Sequence, residues 1–286
     1  MMSSTNSKVL LAVLAHPDDE TFGMGGTLAW YARQGVEVHL VCATRGEVGE
    51  MDPQYLVGFS SVGERRESEL CCAADVLGLR AVHFLDYRDS GMPGSPDNQH
   101  PQALAAQPVE QVAEKVAQWI RVLKPQVVLT FDPVGGYYHP DHIAIHNATI
   151  LAVKLAEKSE PGEQGLPGYH VKKLYFHTMP KGFLKMGVWL LKLSGKDPTQ
   201  FGTNKDINLE AIAKVSFPTH AVIRYTPVAK LRDQASACHE SQGGKQRTGG
   251  LLGFILRLIN SKDTFMRAYP EVTSRRIERD LFEGVK

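Results

Sequence analysis

The chain has 286 residues, 43% hydrophobic and 22% charged, with 32 Lys and Arg against 31 Asp and Glu. This composition excludes intrinsic disorder, collagen and a simple coiled coil, and a chain of this length buries roughly 75% of the surface of its unfolded form without disulfide staples. The net charge of +1 gives no general electrostatic reason to bind nucleic acid.

VLLAVLA (9–15) is a short Val- and Leu-rich run, the pattern of a strand buried on both faces. GMGGTLAWYARQG (23–35) predicts a helix stopped by Gly35, and VEVHLVCAT (36–44) a second strand. GERRESELCCAADVLGL (63–79) predicts a helix ending near Gly78, and AVHFLDY (81–87) a third strand. After a loop from Arg88 to about Gln107, PVEQVAEKVAQWIRVL (108–123) is an amphipathic helix opened by proline. VVLTF (127–131) and PDHIAIHNATILAVKLAEK (140–158) complete the series as strand and helix. Such alternation predicts an α/β fold: a Rossmann-like, mostly parallel sheet flanked by helices, with right-handed crossovers.

The second half is less regular. A turn-rich connector (157–168) precedes expected strands VKKLYFHT (171–178) and HAVIRY (220–225) and an expected helix AKLRDQASACHE (229–240). Two apolar, basic-flanked segments, 181–196 and 249–262, read as core or lid helices, an oligomer interface, or a membrane-surface contact. We expect one domain over 1–286, with a core over about 8–178 and a C-terminal α+β elaboration over about 179–286. Cys42, Cys71, Cys72 and Cys238 form no CxxC pair and read as reduced thiols of a cytoplasmic protein. The N-terminal apolar run ends in charge, which argues against a signal peptide, and no run of about 18 apolar residues predicts a membrane span.

Ligands of parallel sheets bind beyond the carboxyl ends of the strands, and the polar clusters HPDDE, TRGEVGE, DYRDSGM and DPVGGYYHPDH fall there. In HPDDE, one imidazole and three carboxylates follow a buried strand directly, a costly arrangement unless a cation or solvent neutralises it. Taken alone, this reads first as a solvated acidic loop capping the next helix. The second cluster adds His139, Asp141, His142 and His146, with Pro140 suited to the first position of a helix. Two histidines and a carboxylate form a ligand set with an open position, as catalytic zinc requires, and such a set also suits Fe(II). His142 with His146, at i and i+4, is a competing pair, disfavoured because His146 lies a turn deeper in the helix. GMGG (23–26) lacks the third glycine of a dinucleotide fingerprint, so it reads as close packing at the helix start. His83, His100, His170, His177 and His220 have no second polar signal beside them and read as structural or exposed.

AHPDDE followed about 120 residues later by GGYYHPDH resembles the LmbE-like/PIG-L deacetylase superfamily, metal-dependent enzymes that remove acetyl from N-acetylglucosamine groups. The resemblance runs from Val9 to about Lys158. GE (46–47), RxxEL (66–70) and YRDSGM (87–92) look like the MshB/Mca branch, which handles mycothiol precursors and conjugates, with a fainter match at CHESQ (238–242). It implies His16, Asp19 and His142 as ligands of Zn2+, with Fe2+ an alternative, and Asp18 as general base toward the attacking water. His139 would be the oxyanion donor, Asp141 the carboxylate that orients it and keeps it protonated, and Tyr137 a support for the oxyanion or acyl group. Arg66, Asp89, Glu47 and Met92 would contact a small amino-sugar substrate. Arg66 also reads as half of a helix-surface pair with Glu69, Asp89 as a turn cap, and Met92 as loop packing. Alternatives to a deacetylase are an amidase acting on a thiol conjugate and a non-catalytic metal- or sugar-binding protein; a homo-oligomer is compatible with each.

Overall fold

The computed structural model describes residues 7–158, 165–179, 181–201, 207–244 and 261–285. The strands are β1 (Val9–Leu14), β2 (Glu37–Cys42), β3 (Ala81–Phe84), β4 (Val127–Phe131), β5 (Lys173–Thr178), β6 (Ala221–Arg224) and β7 (Lys262–Tyr269). They form one sheet in the order β3-β2-β1-β4-β5-β7-β6. β1 to β5 run parallel, Leu11 pairing with His39 on one side and Val128 on the other. β7 lies antiparallel between β5 and β6. All six residues of β1 are buried, as its unbroken apolar run requires.

The helices are α1 (Asp19–Arg33), α2 (Val62–Leu77), α3 (Val109–Leu123), α4 (Gly135–Tyr138), α5 (Pro140–Ala156), α6 (Lys181–Leu193), α7 (Leu209–Lys214) and α8 (Ala229–Cys238). α3 buries Val112, Ala113, Val116, Ala117 and Ile120, a stripe at helical spacing, and packs on α5. α8 returns from the far half of the chain to pack on α1 and α2. Gly26 permits this approach: a Cβ there would stand 2.3 Å from the ring of Tyr225. The GMGG glycines thus do allow close packing, but against the C-terminal half of the chain.

Several boundaries differ from expectation. α1 begins at Asp19, four residues before the expected 23, because the chain turns at Asp18 and sets the carboxylates of Asp19 and Glu20 in the first turn, where the helix dipole favours them. β7 and α7 were not foreseen; in β7, Lys262, Asp263 and Arg267 break the apolar pattern. α6 is not a core helix, since Met186, Trp189, Leu190 and Leu193 are exposed. Of the second apolar segment, 249–260 lies outside the described residues. The expectation of four reduced thiols is corrected by a disulfide between Cys72 of α2 and Cys238 of α8, with Cys42 buried and free and Cys71 exposed and free. The two halves of the bridge are 166 residues apart, so only tertiary packing brings them together. No helix among the described residues is long and apolar enough to cross a membrane.

Candidate active site

The crossovers from β1 and β4 diverge at their adjacent carboxyl ends, the switch point where doubly wound sheets open a crevice. HPDDE leaves β1 there and DPVGGYYHPDH leaves β4. In the first loop Asp19 accepts the backbone N–H of His16 at 2.7 Å, and Asp18 adopts φ 112°, a left-handed conformation unusual for a residue with a side chain. In the second, Asp132 accepts from Val134 and Gly136. Gly135 takes φ 62°, where a Cβ would meet the His142 Cβ at 2.6 Å. The loop therefore folds onto the first turn of α5, with His139 as N-cap accepting from the Asp141 N–H and His142 in that turn.

Six buried side chains meet at this point: His16, Asp19, Asp89, His139, Asp141 and His142. His16 Nδ1 lies 3.2 Å from His142 Nε2 and 3.5 Å from Asp19 Oδ2; His142 Nε2 lies 3.2 Å from Asp19 Oδ1. The far nitrogens fix the tautomers. His16 Nε2–H donates to Asp141 Oδ2 at 3.1 Å, and His142 Nδ1–H donates to the Gly135 carbonyl at 3.1 Å. Two imidazole lone pairs and a carboxylate then converge, with neighbouring carboxylates at Asp89 and Asp141. This donor set fits a divalent cation with histidine and carboxylate ligands, each histidine steadied by an acceptor on its other nitrogen. The ring nitrogens of His16, His139 and His142 also come close enough to share an ion, as do donor atoms of His16, Asp89 and Asp141.

The charges respond to this crowding. Burial pushes Asp18 up to about 6, aided by Asp19 and Glu20 and opposed by Arg66. Burial also acts against ionised Asp19, but His142 and His16 hold it well below the usual carboxylate range. Burial works against a charged His16 too, yet Asp89, Asp141 and Asp19 raise it. His139 goes the other way: burial, then His16 and His142, lower it to about 2. Burial raises the Tyr137 phenol, keeping it a neutral donor.

This corrects one expectation. The Asp141 carboxylate makes no hydrogen bond to the His139 ring; it holds His16 Nε2 and the N–H and hydroxyl of Ser90, and Asp141 meets His139 only through its backbone N–H. His139 is neutral, with Nδ1 accepting from the Asp141 N–H, so its proton sits on Nε2. Tyr137 stacks edge-on to His142 at 4.9 Å between centroids. Arg66, buried on α2, donates to Asp18 Oδ2 at 3.1 Å and to the carbonyls of Pro17 and Gly46. Glu47 accepts from the Asp89 N–H at 3.1 Å, and Asp89 Oδ1 stands 3.4 Å from His16 Nε2. Met92 is half-buried in a turn whose carbonyl accepts from Asn98, and it adds no polar group to the cluster. His146 turns away, donating to the Phe131 carbonyl at 2.8 Å, so it does not pair with His142. Arg45, Glu47, Asp86 and Arg88 line an adjoining polar cavity of about 370 Å³. Sequence reasoning missed Ser90, which sits beside Asp89 in DYRDSGM, and the buried pair Glu20 and His239, joined at 2.7 Å. Ser90 stands inside the YRDSGM stretch but has no ionisable group to single it out; His239 stands in CHESQ, where the resemblance is faintest.

Residues 11–153 match the family described as PIG-L, GlcNAc-PI de-N-acetylase. A 1D-myo-inositol 2-acetamido-2-deoxy-alpha-D-glucopyranoside deacetylase of Thermobifida fusca is 41% identical over 192 residues, 64% of this chain and 66% of that protein, so the chain spans about two thirds of that relative's length. A second deacetylase of that name from Catenulispora acidiphila is 32% identical and aligned over 99% of both chains. Among solved structures, the N,N'-diacetylchitobiose deacetylase of Pyrococcus horikoshii shares the fold with a TM-score of 0.61 at 22% identity, over 92% of this chain and 84% of that one. With half of its length matched by the family and a relative aligned nearly end to end, the chain belongs to the PIG-L, LmbE-like family.

Proposed function

We propose that this protein is a metal-dependent N-deacetylase, hydrolysing the acetamide of an N-acetylglucosamine glycoside to acetate and the free amine. One observation carries the reading: the lone pairs of His16 Nδ1 and His142 Nε2 converge with Asp19, while Asp18, held by Arg66, stands next in the same loop. His16, Asp19 and His142 would hold Zn2+, with Fe2+ the alternative for the same donors. When bound, the ion lowers the pKa of a water to about 7 and polarises the amide carbonyl. Asp18 accepts the proton of the attacking water and delivers it to the leaving amine. His139 Nε2–H, with the Tyr137 hydroxyl beside it, donates to the oxygen on which negative charge gathers. Arg66, Asp89 and Glu47 bind sugar hydroxyls, Met92 packs on the sugar, and the polar cavity beyond Glu47 receives the group attached to it. The relatives' names make the inositol glycoside of N-acetylglucosamine the first compound to assay.

The test is metal analysis of the purified protein together with acetate release from N-acetylglucosamine glycosides. A chelator is expected to abolish release and Zn2+ to restore it. His142→Ala is expected to lose metal, and Asp18→Asn to retain metal while losing about 1,000-fold in kcat. Full activity in both variants would sink the assignment.

A further inference from the structure

The Asp18 backbone is left-handed although Asp18 is not glycine, and such a conformation persists only where its surroundings impose it. The buried Glu20 carboxylate does so: Oε2 accepts the Asp18 N–H at 2.9 Å. Glu20 is itself fixed through Oε1, which accepts from Thr21 Oγ1 at 2.5 Å and from His239 Nε2 at 2.7 Å. Glu20 and His239 are both fully buried, and His239 Nδ1 has no hydrogen-bond partner among the described residues. His239 is therefore held at this spot by its link to Glu20, by edge-on contact with the Phe22 ring at 5.8 Å between centroids, and by its neighbours in the chain. Cys238 is bridged to Cys72. Ser241 donates through N and Oγ to the two carboxylate oxygens of Glu69. Glu69, three residues along α2, is buried beside Arg66, whose guanidinium grips the Asp18 carboxylate. Asp18 is thus held at its side chain by α2 and at its backbone by a chain of hydrogen bonds ending in the segment after α8.

We infer that His239, acting through Glu20, is a positioning residue for Asp18, fixing the turn that aims the Asp18 carboxylate into the site. The inference rests on the reading of Asp18 as the proton acceptor. It also explains why the C-terminal segment must pack on α1 and α2 for a site whose ligands all come from the first half.

The test compares two substitutions of similar polarity and different reach. The amide nitrogen of His239→Gln extends to the place of Nε2 and can donate to Glu20, whereas His239→Asn falls short. In zinc-loaded protein, His239→Asn is expected to lower kcat for acetate release about 100-fold, as misplacement by about an ångström does, with KM and zinc content unchanged. His239→Gln is expected to keep most of the activity. Amide hydrogen exchange over residues 16–22 is expected to be faster in the Asn variant than in the Gln variant. Because His239 acts only through Asp18, Asp18→Asn combined with His239→Asn is expected to be no slower than Asp18→Asn alone. Equal kcat in the Asn and Gln variants, with Asp18→Asn inactive, overturns the inference alone. Undiminished activity of Asp18→Asn overturns the reading of Asp18 and the inference with it.

Discussion

The two halves of this molecule divide the work unequally. The first, β1 to α5, carries four of the five parallel strands and all six residues of the buried cluster, delivered at strand carboxyl ends. The second adds β6 and β7 in an antiparallel edge and sends α8 back across α1 and α2. Its contribution to the site is indirect, through Tyr225 against Gly26, Asp263 against Thr27 and His239 against Glu20. Chemistry concentrates where loops converge, and support arrives from wherever the chain can pack behind them.

If catalysis belongs to the first half, the largest effect outside the proton acceptor and the metal ligands falls on His139. His139→Ala removes the oxyanion donor and is expected to lower kcat 100- to 1,000-fold, about 3 to 4 kcal/mol; because it also removes the side-chain cap of α5, folding stability is expected to fall by about 1 kcal/mol. Steady-state kinetics beside a thermal melt checks both parts, and a loss in KM alone would remove His139 from the reaction. Gly26→Ala probes how tightly the halves must dock. Its methyl would collide with the Tyr225 ring at 2.3 Å, and overpacking of this kind costs about 1–3 kcal/mol. Denaturant unfolding should show that loss, and a neutral result would mean the second half can shift away from α1 without penalty.

The smallest effect concerns Asp263, buried at the junction and accepting from Thr27 N at 3.1 Å and Oγ1 at 2.7 Å. Burial raises its carboxyl to about 6, above the value of about 4 expected in the unfolded chain. Between these values the folded protein keeps a proton that the unfolded chain releases, so this residue's stabilising contribution, present at pH 4, is lost as pH rises through about 6. Asp263→Asn stays neutral and can still accept from Thr27. Its melting temperature relative to the parent should therefore rise between pH 5 and pH 7.5, measured by paired thermal melts, and a constant difference would show that the group does not titrate in that interval.

Much of the parallel core was legible because buried strands are continuous apolar runs and the helices between them are amphipathic. β1, β4, α3 and α5 fall close to their expected spans. β7 was not legible, since its charged positions interrupt the pattern and its partners are distant in the chain. Local sequence likewise could not show that the Asp141 carboxylate faces His16 instead of His139, for His139 is two residues away while His16 lies 125 positions distant and only the fold brings it near.

The sequence by itself determined the alternation of strand and helix, the rim on which the polar loops gather, and the types of residue able to hold a cation there, because these follow from short-range periodicity and side-chain chemistry. Tertiary structure alone decided which nitrogen of each histidine faces inward, which carboxylate steadies which ring, the joining of Cys72 to Cys238, and the seating of His239 behind Asp18. Apart from the orientation of His142, set by the Gly135 carbonyl seven residues away, those choices depend on contacts between residues more than 100 positions apart in the chain, as the 166-residue span of the disulfide illustrates, and are set by burial and by the pairing of polar groups that burial enforces.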